Sequence, residues 1–243
     1  MTSINHPMSP NSSARFFVTG TDTGVGKTLI SAALLHALAQ RGLRTIGMKP
    51  VAAGTSMVTG RFVNEDTEVL LAASSISAPR ALVTPYLFDE PAAPHLAAAM
   101  VGRSIEAAPI LAAFQQLTKL ADALVVEGVG GFLVPLGIDF DTADLAQMLD
   151  LPVILVVGLR LGCLNHAALT AQAVRQRGLH LAGWVANRID PEMAHADANI
   201  ATLATLLDAP LLGVVPTLAV ADPKQAARHL DLHALFDSSP ASK

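Results

Sequence analysis

Gly20-Thr21-Asp22-Thr23-Gly24-Val25-Gly26-Lys27-Thr28 follows the apolar run Phe16-Phe17-Val18 and precedes an amphipathic stretch, an order that reads as strand, phosphate loop, helix. Glycines let a backbone turn tightly and aim its N–H groups inward, so that a polyphosphate can rest on them and on the positive end of the following helix. In such a loop Lys27 reaches the terminal phosphates and the Thr28 hydroxyl is a Mg²⁺ ligand. The usual pattern sets about four residues between the first glycine and Gly-Lys-Thr. Here Gly20 and Gly26 enclose five, so the loop is one residue longer. The competing reading, a Gly-rich strand-to-helix turn with no ligand, is weakened by the strand before it and the helix after it.

Outward from the loop, apolar runs and helical patterns alternate. Ile30, Leu34, Ala37 and Leu38 recur at helical spacing up to Gly42, which suits a helix C-terminus. A second strand, Arg44 to Met48, ends at Lys49-Pro50. The carboxyl ends of strands in an open parallel sheet form its ligand crevice, so Lys49 is either a cation beside the phosphate loop or a solvated strand-end charge. Asn64 suits an N-cap for a helix whose Glu65, Asp66 and Glu68 offset the dipole. Residues 78–102 hold Pro79, Pro85, Pro91 and Pro94, which suggests an excursion over the crevice, with His95 structural. Ser104 is the expected cap of a helix carrying Ile110, Phe114 and Leu117. The strand Ala123 to Val126 then ends in Glu127-Gly128-Val129-Gly130-Gly131. A carboxylate at that place is costly to bury unpaired, and nucleotide-binding sheets put a Mg²⁺-organising acid there.

Further along, residues 139–149 read as a helix capped by Thr142, 152–157 as a buried strand, and 161–166 as the entry to a helix ending near Gly178. The strand Leu181 to Ala186 ends in Asn187-Arg188-Ile189-Asp190, where a side-chain amide can read a nucleobase edge. Pro191 is the expected start of the next helix, 211–215 is a strand ending at Pro216, and 223–236 is the last helix. The alternation, with no repeat or linker, predicts one doubly wound, mostly parallel α/β domain with helices on both faces over residues 15–243, preceded by a disordered tail over 1–14.

Composition sets the outer limits. Of 243 residues 51% are apolar and 15% charged, enough for a large core, and a net charge of −4 offers no basic field for nucleic acid. Apolar runs such as 151–161 fall short of the roughly 20 residues of a membrane span and are broken by Pro152, Gly158 and Arg160. The lone Cys163 has neither a second cysteine for a metal pair nor a basic neighbour to activate it, and suits a reducing, cytoplasmic setting.

Five separated stretches together closely resemble the dethiobiotin synthetase family from Arg15 to about Leu218. They are the loop at Gly20, Lys-Pro-Val-Ala-Ala-Gly at Lys49, Glu-Gly-Val-Gly-Gly at Glu127, Leu-Gly-Cys-Leu-Asn-His-Ala at Leu161 and Gly-Trp-Val-Ala-Asn at Gly183. The resemblance implies a ligase that uses ATP and CO₂ to close a cyclic urea on 7,8-diaminopelargonic acid, through a carbamate and a carbamic-phosphoric anhydride. It implies Lys27 and Lys49 as the catalytic cations and Thr28, Asp66 and Glu127 as Mg²⁺ ligands. Nucleotide contacts would come from Thr23, Gly24, Val25, Gly26, Lys27 and Thr28, from Glu127, Gly128, Val129 and Gly130, from Asn187 at the base and from Pro216, Thr217 and Leu218. Substrate contacts would be Lys49, Ala53, Gly162, Cys163 and Asn165, the last three from the neighbouring subunit of a homodimer, with Cys163 and Asn165 facing the seam. Two departures stand out: Ala53 replaces a serine hydroxyl of some members, and Gly24 an acidic residue, which leaves ATP, CTP and GTP open. Rival readings are an amidoligase of the cobyrinate type, a ParA- or MinD-like switch ATPase, and a GTPase. The first lacks an ammonia-generating module, the second the early loop lysine where Thr21 stands, and the third has Arg188 for lysine.

Overall fold

A computed structural model of the protein describes residues 14–236. The expected N-terminal tail therefore lies outside the described residues, except that Ala14 already belongs to the first strand. In chain order the strands are β1 (Ala14–Gly20), β2 (Thr45–Met48), β3 (Val51–Ala53), β4 (Ser56–Val58), β5 (Arg61–Val63), β6 (Tyr86–Phe88), β7 (Ala123–Glu127), β8 (Val153–Gly158), β9 (Leu181–Asn187) and β10 (Leu211–Val215). The helices are α1 (Lys27–Gln40), α2 (Glu65–Ala73), α3 (Arg80–Val83), α4 (Pro94–Met100), α5 (Ala107–Leu120), α6 (Thr142–Leu149), α7 (Cys163–Gln176), α8 (Ala196–Leu206) and α9 (Pro223–Ala227), followed by a 3₁₀ turn, His233–Leu235.

Six strands form one parallel sheet in the order β10-β9-β8-β1-β7-β2. Their sequences are continuous apolar runs because both faces are covered, and successive side chains feed two separate cores. Phe17, Leu124, Val126, Val153, Leu155 and Trp184 join the core under α5, α6, α7 and α8. Phe16, Val18, Val125, Ile154, Val156 and Val185 join the core under α1, α2 and α9. The chain leaves β1 toward β2 on one side and later returns to β8 on the other, so the order reverses at β1. The loops at the carboxyl ends of β1, β7 and β8 therefore diverge around a crevice.

Several boundaries differ from the sequence expectation, each for a local reason. Asp141, not Thr142, caps α6: its carboxylate accepts from Asp144 N at 2.7 Å while Asp144 returns the bond to Asp141 N at 2.8 Å. Ser104 caps nothing, since α5 begins at Ala107. Pro191 lies five residues before α8. The last helix is cut to α9 because the chain turns back to the sheet, where Asp231 N donates to Leu212 O at 2.7 Å. Between Lys49 and Asn64 the chain forms β3, which pairs with β6, and a β4–β5 hairpin.

Leu117 is fully buried beneath the sheet. Replacing it with alanine is expected to lower stability by about 2–5 kcal/mol, read as a fall in the urea midpoint at unchanged slope.

Candidate active site

Strand register alone brings the two central charges together. Met48 of β2 pairs with Val126 of β7, so the next residues, Lys49 just past β2 and Glu127 at the last position of β7, stand side by side at the carboxyl edge of the sheet. Lys49 Nζ lies 2.6 Å from Glu127 Oε1 and 2.9 Å from Asp66 Oδ2, and donates to Gly128 O at 3.2 Å. Both members of the first pair are almost fully buried, at 3% and 0% side-chain exposure. The strand-end lysine is thus not a solvated surface charge. Burial by itself would lower its pKa, but the Glu127 and Asp66 carboxylates beside it prevail and hold it above the ordinary lysine value.

Asp66 arrives from the first turn of α2, whose cap is the expected Asn64, accepting from Thr67 N at 3.2 Å and donating to Gly54 O at 2.8 Å. Burial would raise the Asp66 pKa, yet Lys49, through charge and hydrogen bond, and the Thr28 hydroxyl bring it below the usual carboxylate value. Thr28 Oγ1 lies 2.8 Å from both Asp66 Oδ1 and Glu127 Oε1. Its single proton can serve only one carboxylate at a time. Glu127 Oε2 is buried with no protein partner. A hydroxyl and two carboxylates converging beside an orphaned carboxylate oxygen form a hard-oxygen donor set, which fits Mg²⁺, an ion that keeps several of its waters. Among the described residues no group of three His, Cys, Asp or Glu gathers, so a site built wholly from such ligands is not what these residues form.

The phosphate loop closes the crevice from β1. Gly24 and Gly26 adopt left-handed backbone, φ +75° and +85°, and Gly26 also lies against a neighbour: a Cβ there would meet Asn187 Nδ2 at 2.2 Å. That amide, at the end of β9, donates to Val25 O at 2.9 Å. Lys27 is the first residue of α1 and its Nζ donates to Asp22 O at 2.9 Å. Burial first, and the neighbouring Lys49 second, push Lys27 down to about 8.

A cavity of about 800 Å³ is lined by Asp22, Thr23, Gly24, Gly26, Lys27 and Thr28, by Lys49, Ala53, Asp66 and Glu127, and by Val129 and Gly130. Most sequence-named residues therefore meet. Pro91 to Pro94 form one wall, as a proline-rich excursion over the crevice should, Gly131 closes the Glu127 motif's share of the lining, and Val134 adds lining that no motif signalled. Val25, Gly128, Asn187, Pro216, Thr217 and Leu218 do not line the cavity. Val25 is buried under the loop, and Thr217 Oγ1 donates to Arg188 O at 2.7 Å. Gly162, Cys163 and Asn165 also lie outside the cavity, at the start of α7. Asn165 is exposed. The Cys163 side chain is 2% exposed and packed in the core, whereas the sequence reading set this residue at a subunit seam. The reason is helical phase, because Cys163, Ala167, Ala171 and Val174 form the inward stripe of α7.

A parallel sheet with its phosphate loop at the switch strand and a lysine-carboxylate cluster beside it defines a phosphate-loop nucleotide-binding domain, and a family model described as AAA domain matches residues 14–225. The dethiobiotin synthetase of Ralstonia nicotianae, an ATP-dependent enzyme by its description, is 57% identical over 220 residues, covering 90% of this chain and 96% of its own. That of Aromatoleum aromaticum is 55% identical over 217 residues, covering 89% and 96%. The chain belongs to the ATP-dependent dethiobiotin synthetase family. Among solved structures, MinD of Pyrococcus horikoshii bound to Mg-ADP aligns with a TM-score of 0.51 at 16% identity over 89% of this chain and 86% of its own. A ParA family ATPase of Chlorobium tepidum aligns at 0.54 and 13% over 94% and 95%. At such identities the likeness is one of fold.

Gly26→Ala sets a Cβ against the Asn187 amide and forces a left-handed residue to carry it. Nucleotide affinity by calorimetry is expected to fall at least about tenfold, with far-UV circular dichroism unchanged.

Proposed function

We propose that this protein forms dethiobiotin, in biotin biosynthesis, from 7,8-diaminopelargonic acid, CO₂ and ATP. The observation that carries the reading is the pair of buried lysines, Lys27 and Lys49, brought into one cavity with Thr28, Asp66 and Glu127. One amine of the diamine takes up CO₂ as a carbamate. A carbamate oxygen attacks the γ-phosphorus and ADP leaves, giving a mixed anhydride. The second amine then attacks the anhydride carbon, the ring closes and phosphate departs, with the amine protons released to base.

Two anions, carbamate and γ-phosphate, must approach one another, which needs fixed positive charge in a site poor in water. Lys49 is a suitable group to hold the carbamate, since its ammonium is fixed by strand register and kept charged by its carboxylate neighbours. Lys27 answers the terminal phosphates from the first turn of α1, and the inward N–H groups from Gly24 to Thr28 cradle the rest. Thr28, Asp66 and Glu127 would hold Mg²⁺, which when bound offsets charge on the phosphate oxygens. Ala53 lines the cavity but offers no hydroxyl, so this chain binds its diamine with one hydrogen bond fewer than a serine would give. The resemblance would give Asn187 to the base and 216–218 to the nucleoside side, although none of them lines the cavity.

The same reading makes the protein a cytoplasmic homodimer in which the substrate carboxylate meets the α7 entry of a second subunit, through the backbone near Gly162 and the Asn165 side chain. The neighbouring Leu161, at 96% exposure, gives that segment apolar surface suited to a contact. No described helix is long and apolar enough to cross a membrane.

Incubation with ATP, Mg²⁺, bicarbonate and the diamine is expected to yield ADP and a cyclic urea together, followed by mass spectrometry, and neither without the diamine. ATP hydrolysis indifferent to the diamine, with no urea, returns the protein to the switch ATPases. Lys49→Ala is expected to lower kcat by about 10²-fold or more with the ATP KM within roughly fivefold. Asp66→Asn is expected to raise the half-saturating Mg²⁺ concentration about tenfold, read from activity against Mg²⁺ at fixed ATP.

A further inference from the structure

Asp22 holds three things at once. Its carbonyl accepts the Lys27 ammonium at 2.9 Å, its Oδ1 accepts Thr23 N at 2.7 Å, and its Oδ2 pairs with the guanidinium of Arg160. Arg160 stands two residues beyond the end of β8, the strand that flanks β1, and the loop is tied to that strand by Thr21 N donating to Val156 O at 3.0 Å. One strand further out on the same side, the end of β9 also holds the loop, through Asn187 and Val25 O.

Both members of the Asp22–Arg160 pair are nearly half exposed, at 46% and 43%, and an exposed ion pair contributes little to the stability of a fold. Its effect is local. Five residues between Gly20 and Gly26 leave a loop longer than the common form, with more freedom to lose on binding. A bare Asp22 carboxylate would also repel the phosphates the loop must hold.

We propose that Arg160 is a positioning residue of the phosphate loop. By pairing with Asp22 it fixes the carbonyl that aims Lys27 into the cavity, and it neutralises the one acid within the loop. It touches neither substrate nor phosphate. The proposal rests on the nucleotide reading of the loop, and it makes Arg160 a determinant of ATP affinity rather than of turnover.

The test compares wild type with Arg160→Ala, Arg160→Lys, Asp22→Asn and the Asp22→Asn/Arg160→Ala double variant. Affinity for a non-hydrolysable ATP analogue with Mg²⁺ is measured by calorimetry, and kcat and KM for ATP by dethiobiotin formation. Arg160→Ala is expected to weaken nucleotide binding about two- to fivefold with kcat within about twofold, the size an exposed pair supports. Arg160→Lys recovers most of the loss, Asp22→Asn weakens binding to a similar degree, and the double variant is no weaker than the worse single. Wild-type affinity in Arg160→Ala, or losses that multiply in the double variant, overturns the proposal. So does tighter binding in Asp22→Asn with weaker binding in Arg160→Ala, which would make Arg160 a direct phosphate ligand. A wild-type protein that binds no nucleotide overturns the nucleotide reading, and the proposal with it.

Discussion

The contact between Lys49 and Glu127 is the constraint to which the rest of the site conforms. Two opposite charges lie 2.6 Å apart with almost no access to solvent. Removing both from water costs several kcal/mol each, which their attraction offsets only if geometry is held and remaining lone pairs and protons find partners. The sheet supplies the geometry, because β2 and β7 are neighbours in parallel register and both charges sit one step beyond the last pair between these two strands. The partners come from elsewhere: Asp66 from α2, Gly128 O from the turn after β7, Thr28 from α1. Breaking any of these leaves a charge buried and unbalanced. The cluster is therefore a reason for the order of the strands as much as a result of it.

Strand ends also shape the phosphate loop. Glycine gives the loop its left-handed turns, but glycine alone gives freedom, not a shape. Shape comes from neighbours: Asn187 beyond β9 takes the Val25 carbonyl, and Arg160 beyond β8 pairs with Asp22. Gly158, at the end of β8, has its Cβ position 2.7 Å from Ile189 and 2.9 Å from Val25, so the strand passes too close to the loop for any side chain. The ends of three adjacent strands thus set one loop, which requires that β8 and β9 lie beside β1 in the order they do.

Much of this was legible in the sequence because both physical signals were local. Continuous apolar runs announce strands covered on two faces, and glycine next to a charged residue at the end of such a run announces the crevice. Lys49, Asp66, Glu127, Lys27 and Thr28 were recognisable on that ground with the family resemblance beside it. What escaped depends on pairing between distant segments. Nothing near Val51 signals that it will pair with Tyr86, and nothing near Thr142 shows that Asp141 and Asp144 will satisfy each other while Arg177 closes over both. Nor does the resemblance, which sets the start of α7 at a seam, show that the phase of the helix turns the Cys163 side chain inward. Asp22 was visible within the loop, yet its partner lies far along the chain, where only topology brings it back.

The site's own charges balance. Lys27, Lys49 and Arg160 stand against Asp22, Asp66 and Glu127, three positive groups and three negative, so the protein's own charges cancel before any ligand arrives. A polyphosphate and a carbamate bring several further negative charges into the site. Something positive must come with them, and the unpartnered Glu127 Oε2 and the two-sided Thr28 hydroxyl mark where a hard cation can be received. With Asp66 and Glu127 turned to such a cation, Lys49 would no longer be needed to neutralise them, and its ammonium becomes free to meet an anion from the substrate side. A lysine buried between two acids is thus consistent with a group held in reserve for a second anionic reactant, which a protein that only hydrolyses its nucleotide does not require.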